Sequence, residues 1–112
     1  MIQKLFKEGK SLSNFPLRMI YLPVKNQDSN LQAGFTVSTK YFKKAVDRNR
    51  VKRVLREAFR LQKNKLEDEL IKNEQQLVLF FIYTSAELPN YNDIFEKLGN
   101  ILERVEGTLS AK

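Results

Sequence analysis

The stretch AVDRNRVKRVLREAFR, residues 45–60, holds six arginines and lysines in sixteen positions, yet keeps valine, leucine, alanine and phenylalanine at regular intervals between them. At 100° per residue from Val51, the side chains of Val54, Leu55, Ala58, Phe59 and Leu61 fall within about 80° on either side, a stripe wide enough to lie against a core. Asn49, Arg53, Arg56 and Arg60 fall between about 140° and 200°, with Lys52 and Lys63 flanking them. Arg48 and Arg50 fall on opposite borders of the apolar stripe. The spacing therefore predicts one helix, apolar on one side and cationic on the other. Like charges at these separations repel by a few tenths of a kcal/mol per pair. Only Asp47 and Glu57 are near enough to offset them, so the row points to a partner that neutralises it.

Working outward, LQAGFTVSTK at 31–40 alternates Ala33, Phe35 and Val37 with Gly34, Thr36 and Ser38, the period of a strand with two unlike faces. Past Lys65, EDELIKNEQQ at 67–76 is expected to carry the basic helix to its end. LVLFFIYT at 77–84 is a continuous apolar run, the pattern of a central strand covered on both sides. Upstream, LRMIYLPV at 17–24 reads as a strand with Pro23 at its end, and KNQDSN at 25–30 as a polar turn. Ile2, Leu5 and Phe6 stand at helical spacing, and Gly9 closes that short helix. Downstream, SAELPN breaks the chain and offers Asn90 as a cap. Ile94, Phe95, Leu98, Ile101, Leu102 and Val105 then mark one face of a closing helix. This order implies an α+β sandwich, helices covering a small sheet, in a single domain over residues 1–112. A crossover through the basic helix between parallel strands is right-handed by the general rule.

The whole chain supports this picture. It has 112 residues, 42% of them hydrophobic and 29% charged, ordinary for one globular domain with its own core. No cysteine and no histidine is present. That excludes disulfide scaffolds, zinc fingers, thiol nucleophiles and Ser/His/Asp catalysis. The longest apolar run is far shorter than a membrane span, and MIQKLFKEGK lacks the apolar core of a signal peptide, so a cytoplasmic location is expected. Charge is the informative quantity. From Lys40 to Arg60 there are nine basic residues against two acidic ones, a surplus equal to the net +7 of the chain, while the remaining 91 residues hold eleven of each sign. A surplus confined to one segment is the footprint of a polyanion-binding surface.

Nucleic acid suits this surface best: arginine forks match phosphate oxygens in pairs, and an asparagine among them can bond a base edge or a 2′-hydroxyl. Membrane binding is disfavoured because the apolar stripe is needed to cover the sheet. A DNA-binding helix-turn-helix would want a second short helix where strands stand instead. A protein-only nuclease would need clustered carboxylates, and Glu67, Asp68 and Glu69 read better as a solvated helix end.

The segment from Ala45 onward resembles the signature of the bacterial ribonuclease P protein subunit, Ala-Val-x-Arg-Asn-Arg-x-Lys-Arg-x-x-Arg-Glu. Ala45, Val46, Arg48, Asn49, Arg50, Lys52, Arg53, Arg56 and Glu57 all match it. GFTVSTK is similar to the strand that precedes the signature in that family, KLFKEGK to the end of its first helix, and residues 91–105 to its closing helix. Thr39 stands where a second lysine is common, and Tyr83, Thr84 and Ser85 where a basic residue often follows the last strand. Members usually carry further residues before KLFKEGK, so the chain is expected to begin partway into the first helix. The resemblance implies a ribosomal-protein-like sandwich, akin to the second domain of ribosomal protein S5, with an unusual left-handed crossover. It implies a protein that assists a catalytic RNA in removing the 5′ leader of precursor tRNA, with magnesium ions (Mg2+) used by the RNA. Expected partners are ribonuclease P RNA and precursor tRNA, bound by a monomer in a 1:1 ribonucleoprotein. By the same resemblance Lys40, Arg48, Asn49, Arg50, Lys52, Arg53, Arg56 and Arg60 contact RNA, Phe6, Tyr21, Thr36 and Ser38 line a leader cleft to which Lys40 is also a candidate, and no protein residue is catalytic. Another RNA-binding protein of ribosomal or assembly type, using the same helix, is the alternative.

Overall fold

The computed structural model describes residues 9–25 and 29–110. In chain order the elements are β1 (Lys10–Asn14), β2 (Leu17–Val24), β3 (Leu31–Val37), α1 (Ala45–Gln62), α2 (Asn64–Lys72), β4 (Gln76–Tyr83) and α3 (Tyr91–Ser110). The short helix expected over residues 2–8, with Phe6, lies outside the described residues. The four strands form one mixed sheet in the order β1-β2-β4-β3. β1 pairs antiparallel with β2 and β2 antiparallel with β4, whereas β3 lies parallel to β4. The connection between β3 and β4 is therefore a crossover through α1 and α2, and its helices pack with α3 on one face of the sheet.

Side-chain parity decides what each face does. Leu17, Met19 and Tyr21 of β2, Leu31 and Val37 of β3, and Leu77, Leu79, Phe81 and Tyr83 of β4 are buried toward the helices, where they meet Val51, Leu55, Ala58 and Phe59 of α1 and Ile94, Leu98, Ile101, Leu102 and Val105 of α3. Phe35 ties α1 to the sheet, its ring stacked on Phe81 at 5.6 Å and edge-on to Phe59 at 5.7 Å. The opposite face carries a second cluster, Ile20 and Leu22 with half-buried Val24, Val78, Phe80 and Ile82. The apolar run of β4 is thus an interior strand as predicted. Its two faces are unequal, however: one is deep core and the other only half-buried, which the strict alternation of burial along Gln76–Tyr83 records. Gly34 serves the second face, since a Cβ there would stand 2.7 Å from the Phe80 ring.

Three local readings are corrected and one strand is added. β1 exists, although only Leu12 in KSLSN gives it an apolar anchor. The strand expected over 31–40 stops at Val37, because Ser38 to Thr39 already turn toward α1. The basic helix does not run unbroken to residue 76: it stops at Gln62 and resumes at Asn64. In one straight helix Leu70 would point about 100° away from Val51. The break at Lys63 instead lets Leu66 and Leu70 both reach the core, each fully buried. Leu61, expected at the edge of the buried stripe, is 52% exposed. By contrast, Asn90 caps α3 as predicted, its side-chain oxygen accepting from the Asp93 N–H at 3.2 Å.

Where α1 ends it is latched to α3. The Gln62 amide donates to the Phe95 carbonyl at 2.8 Å and lies over Gly99, where any side chain would overlap it. Nearby, Glu106 is the one buried charged side chain among the described residues. Burial raises its pKa, Lys65 opposes the shift, and Glu103 and Glu69 reinforce it. A carboxyl raised in this way binds its proton more tightly folded than unfolded, so the charged form weakens the fold above the shifted value and ceases to do so as pH falls below the ordinary 4.5. Glu106→Gln is accordingly expected to raise the urea midpoint at neutral pH, with the gain fading under acid. A gain that persists unchanged below pH 4 would assign it to packing instead.

Candidate RNA interface

The loop from Ser38 to Lys44 delivers the chain from β3 to α1. Its turn is closed by the amides of Tyr41 and Phe42 donating to the Ser38 carbonyl, both at 3.2 Å, and by the Lys40 amide donating to the Ser38 hydroxyl at 3.0 Å. Phe42 anchors the loop, buried against Tyr83 with ring centroids 6.2 Å apart. No side chain caps the first turn of α1. Arg48 supplies a clasp instead: its Nη1 donates to the carbonyls of Phe42 at 2.9 Å and Lys43 at 2.7 Å. Spacing alone did not disclose this role. A guanidinium engaged in this way positions the loop that carries Lys40, Lys43 and Lys44, in addition to adding charge. Arg48→Ala is expected to cost about 1–2 kcal/mol of stability, and Arg48→Lys to recover only part, because an ammonium on a flexible stem lacks the rigid plane that aims both Nη1 hydrogens at the two carbonyls. Urea denaturation of the two variants checks this; equal midpoints for all three proteins would rule the clasp out.

From this loop α1 presents its outer face. Asn49, Arg50, Arg53, Arg56 and Arg60 are exposed and Lys52 is half-buried, while Val51, Leu55, Ala58 and Phe59 hold the inner face in the core. The helical phase read from the sequence is therefore correct for the cations. Their electrostatic states differ. Arg60 forms a fork with Glu57, which holds the Glu57 carboxyl below its usual range and the Arg60 guanidinium above its own. At this exposure the pair adds little stability, yet it occupies the carboxylate nearest the row. The Arg56 guanidinium sits 5.9 Å from the centre of the Phe35 ring, bent toward the sheet edge. Arg50 and Arg53 are in no ion pair among the described residues, and with Asn49 and Val46 they line a groove of about 360 Å³. Lys40, on the loop, lies 5.9 Å from the Tyr41 ring.

The residues expected to form one leader cleft are not brought together. Tyr21 is 8% exposed and belongs to the core on the helix-covered face, in register with Leu79 and Ala33. Thr36 has the other parity: it pairs with Ile82 on the opposite face. No single cleft holds both. Ser38 closes the loop turn, and Phe6 lies outside the described residues. No group of three or more acidic side chains among the described residues is placed to hold a metal ion, and Glu67, Asp68 and Glu69 follow one another along α2. No helix among them is long and apolar enough to cross a membrane.

Fold and surface together define an α+β sandwich whose surplus charge is presented on one core-anchored helix and the loop that leads into it. Residues 1–106 match the family model described as Ribonuclease P. The ribonuclease P protein component of Porphyromonas gingivalis is 35% identical over 109 residues, covering 96% of this chain and 80% of that protein. That of Clostridioides difficile is 36% identical over 104 residues, covering 93% and 84%. The structure of the RNase P protein from Thermotoga maritima superposes with a TM-score of 0.74 at 28% identity, over 92% of this chain and 89% of that one. The Staphylococcus aureus RNase P protein, at 24% identity, shares the fold with a TM-score of 0.70. The chain belongs to the Ribonuclease P family, as a protein component of that tRNA-processing ribonucleoprotein.

Proposed function

We propose that this protein docks on a catalytic ribonuclease P RNA through the outer face of α1, and assists magnesium-dependent removal of the 5′ leader from precursor tRNA. The observation that carries this reading is the state of Arg50 and Arg53: exposed, without a carboxylate partner among the described residues, and held by a helix whose inner face is fixed in the core. Phosphates are the ligands such a surface lacks, and a pre-placed guanidinium loses little entropy in meeting them. The RNA supplies the reacting groups, which accords with a chain without histidine or cysteine. In this proposal the magnesium ions belong to the RNA. The leader is assigned to the sheet face that carries Thr36, Ile20 and Phe80, which the helices leave half-buried.

The test is cleavage of a precursor tRNA by a bacterial ribonuclease P RNA at low magnesium, with and without the protein. Release of the intact leader should be stimulated by the protein, and the protein alone should cleave nothing. Tight binding of the RNA without stimulation would move the protein to another RNA-binding role.

A further inference from the structure

Six large hydrophobic side chains are exposed among the described residues, and Val46 is the most exposed of them at 77%. A lone surface valine ordinarily requires no explanation. This one has a specific address. It stands on α1 three, four and seven residues before Asn49, Arg50 and Arg53, which places all four on one side of the helix, and the same four residues line one groove. The groove is therefore apolar at its Val46 end and polar to cationic where Asn49, Arg50 and Arg53 follow along the helix. Its volume of about 360 Å³ is at the small end of ligand sites, on the scale of one nucleotide. Valine also has a lower helix propensity than the alanine beside it, so the position is not explained by helix formation.

The geometry points to Val46 as a contact for the apolar face of one RNA nucleotide, its ribose or an unpaired base, between phosphates taken by Arg50 and Arg53. This rests on the reading of α1 as the RNA-docking face, and deepens it: the arginines attract any polyanion, whereas a methyl pair in the groove rewards a sugar or base seated at one register. An apolar contact releases no counterions. Val46 should thus add affinity that is the same at every salt concentration, unlike its cationic neighbours.

The experiment is a titration of the full chain against a bacterial ribonuclease P RNA transcript over a range of salt, for wild type, Val46→Ala and Arg53→Ala, with thermal melting of each protein. Val46→Ala should bind about three- to tenfold more weakly at every salt concentration, with wild-type slope and wild-type melting. Arg53→Ala should lower the slope by about 0.7–0.9. Wild-type affinity in Val46→Ala alongside a weakened Arg53→Ala overturns the valine contact and leaves RNA docking intact. A changed slope or a lowered melting temperature in Val46→Ala also overturns it, by assigning Val46 to the placement of charge or to the fold. Absence of salt-dependent RNA binding by the wild type would instead remove the docking face itself.

Discussion

Combined Arg50→Glu and Arg53→Glu is expected to weaken binding of a bacterial ribonuclease P RNA by about 10²- to 10⁴-fold at low salt, since each charge-assisted bond is worth roughly 1.5–3 kcal/mol. The log–log salt slope should fall by about 1.4–1.8, the share of two phosphates. Both side chains are exposed and neither is in an ion pair among the described residues. The fold should therefore lose no more than about 0.5 kcal/mol, and removing like-charge repulsion along α1 offsets part of that. Arg56 is a poorer choice for the same test. Its guanidinium lies over the Phe35 ring, so reversing it disturbs the packing of β3 as well as the charge. Arg60 is poorer still, because Glu57 already engages it. RNA binding that survives the double reversal would place docking on another surface; an unfolded double variant would show that these arginines support the core.

The phase of α1 was legible because two periodic signals agree: the apolar positions 51, 55, 58 and 59 are buried, and the cations fall opposite. Such redundancy is missing elsewhere. Along β2, residues of both parities are large and apolar, Met19 and Tyr21 on one face and Ile20 and Leu22 on the other. Alternation therefore gives no phase, and nothing in the sequence separates Tyr21 from Thr36, which the family resemblance groups together. The break at Lys63 carries neither glycine nor proline and no side-chain cap; it is set by where Leu66 and Leu70 find space, a tertiary fact. β1 is an edge strand of lysine and serines held by its ladder to β2, which composition disfavours and pairing decides. Arg48 reads as a cation on the border of the apolar stripe, whereas the loop's path brings two carbonyls within its reach.

Leu55→Ala is expected to destabilise the protein by about 2–5 kcal/mol, a large part of the 5–15 kcal/mol typical of a whole domain. Leu55 is fully buried at the middle of the inner face of α1, in one cluster with Val51, Phe59, Phe81 and Leu98. The neighbours on either side belong to the sheet and to α3, and a cavity there cannot collapse without moving one of them. The urea midpoint should fall with the slope unchanged. RNA affinity should decline only as far as the folded fraction declines, with the salt slope of the folded protein retained and activity recovered on cooling toward the temperature of maximum stability. This signature is the reverse of the one expected for Arg50 and Arg53, where stability holds and the slope falls. If the inner and outer faces of one helix divide in this way between folding and docking, each variant moves one quantity alone. A Leu55→Ala protein with an unchanged midpoint would mean that α1 is rotated from this phase, and the outward placement of its arginines would fall with it.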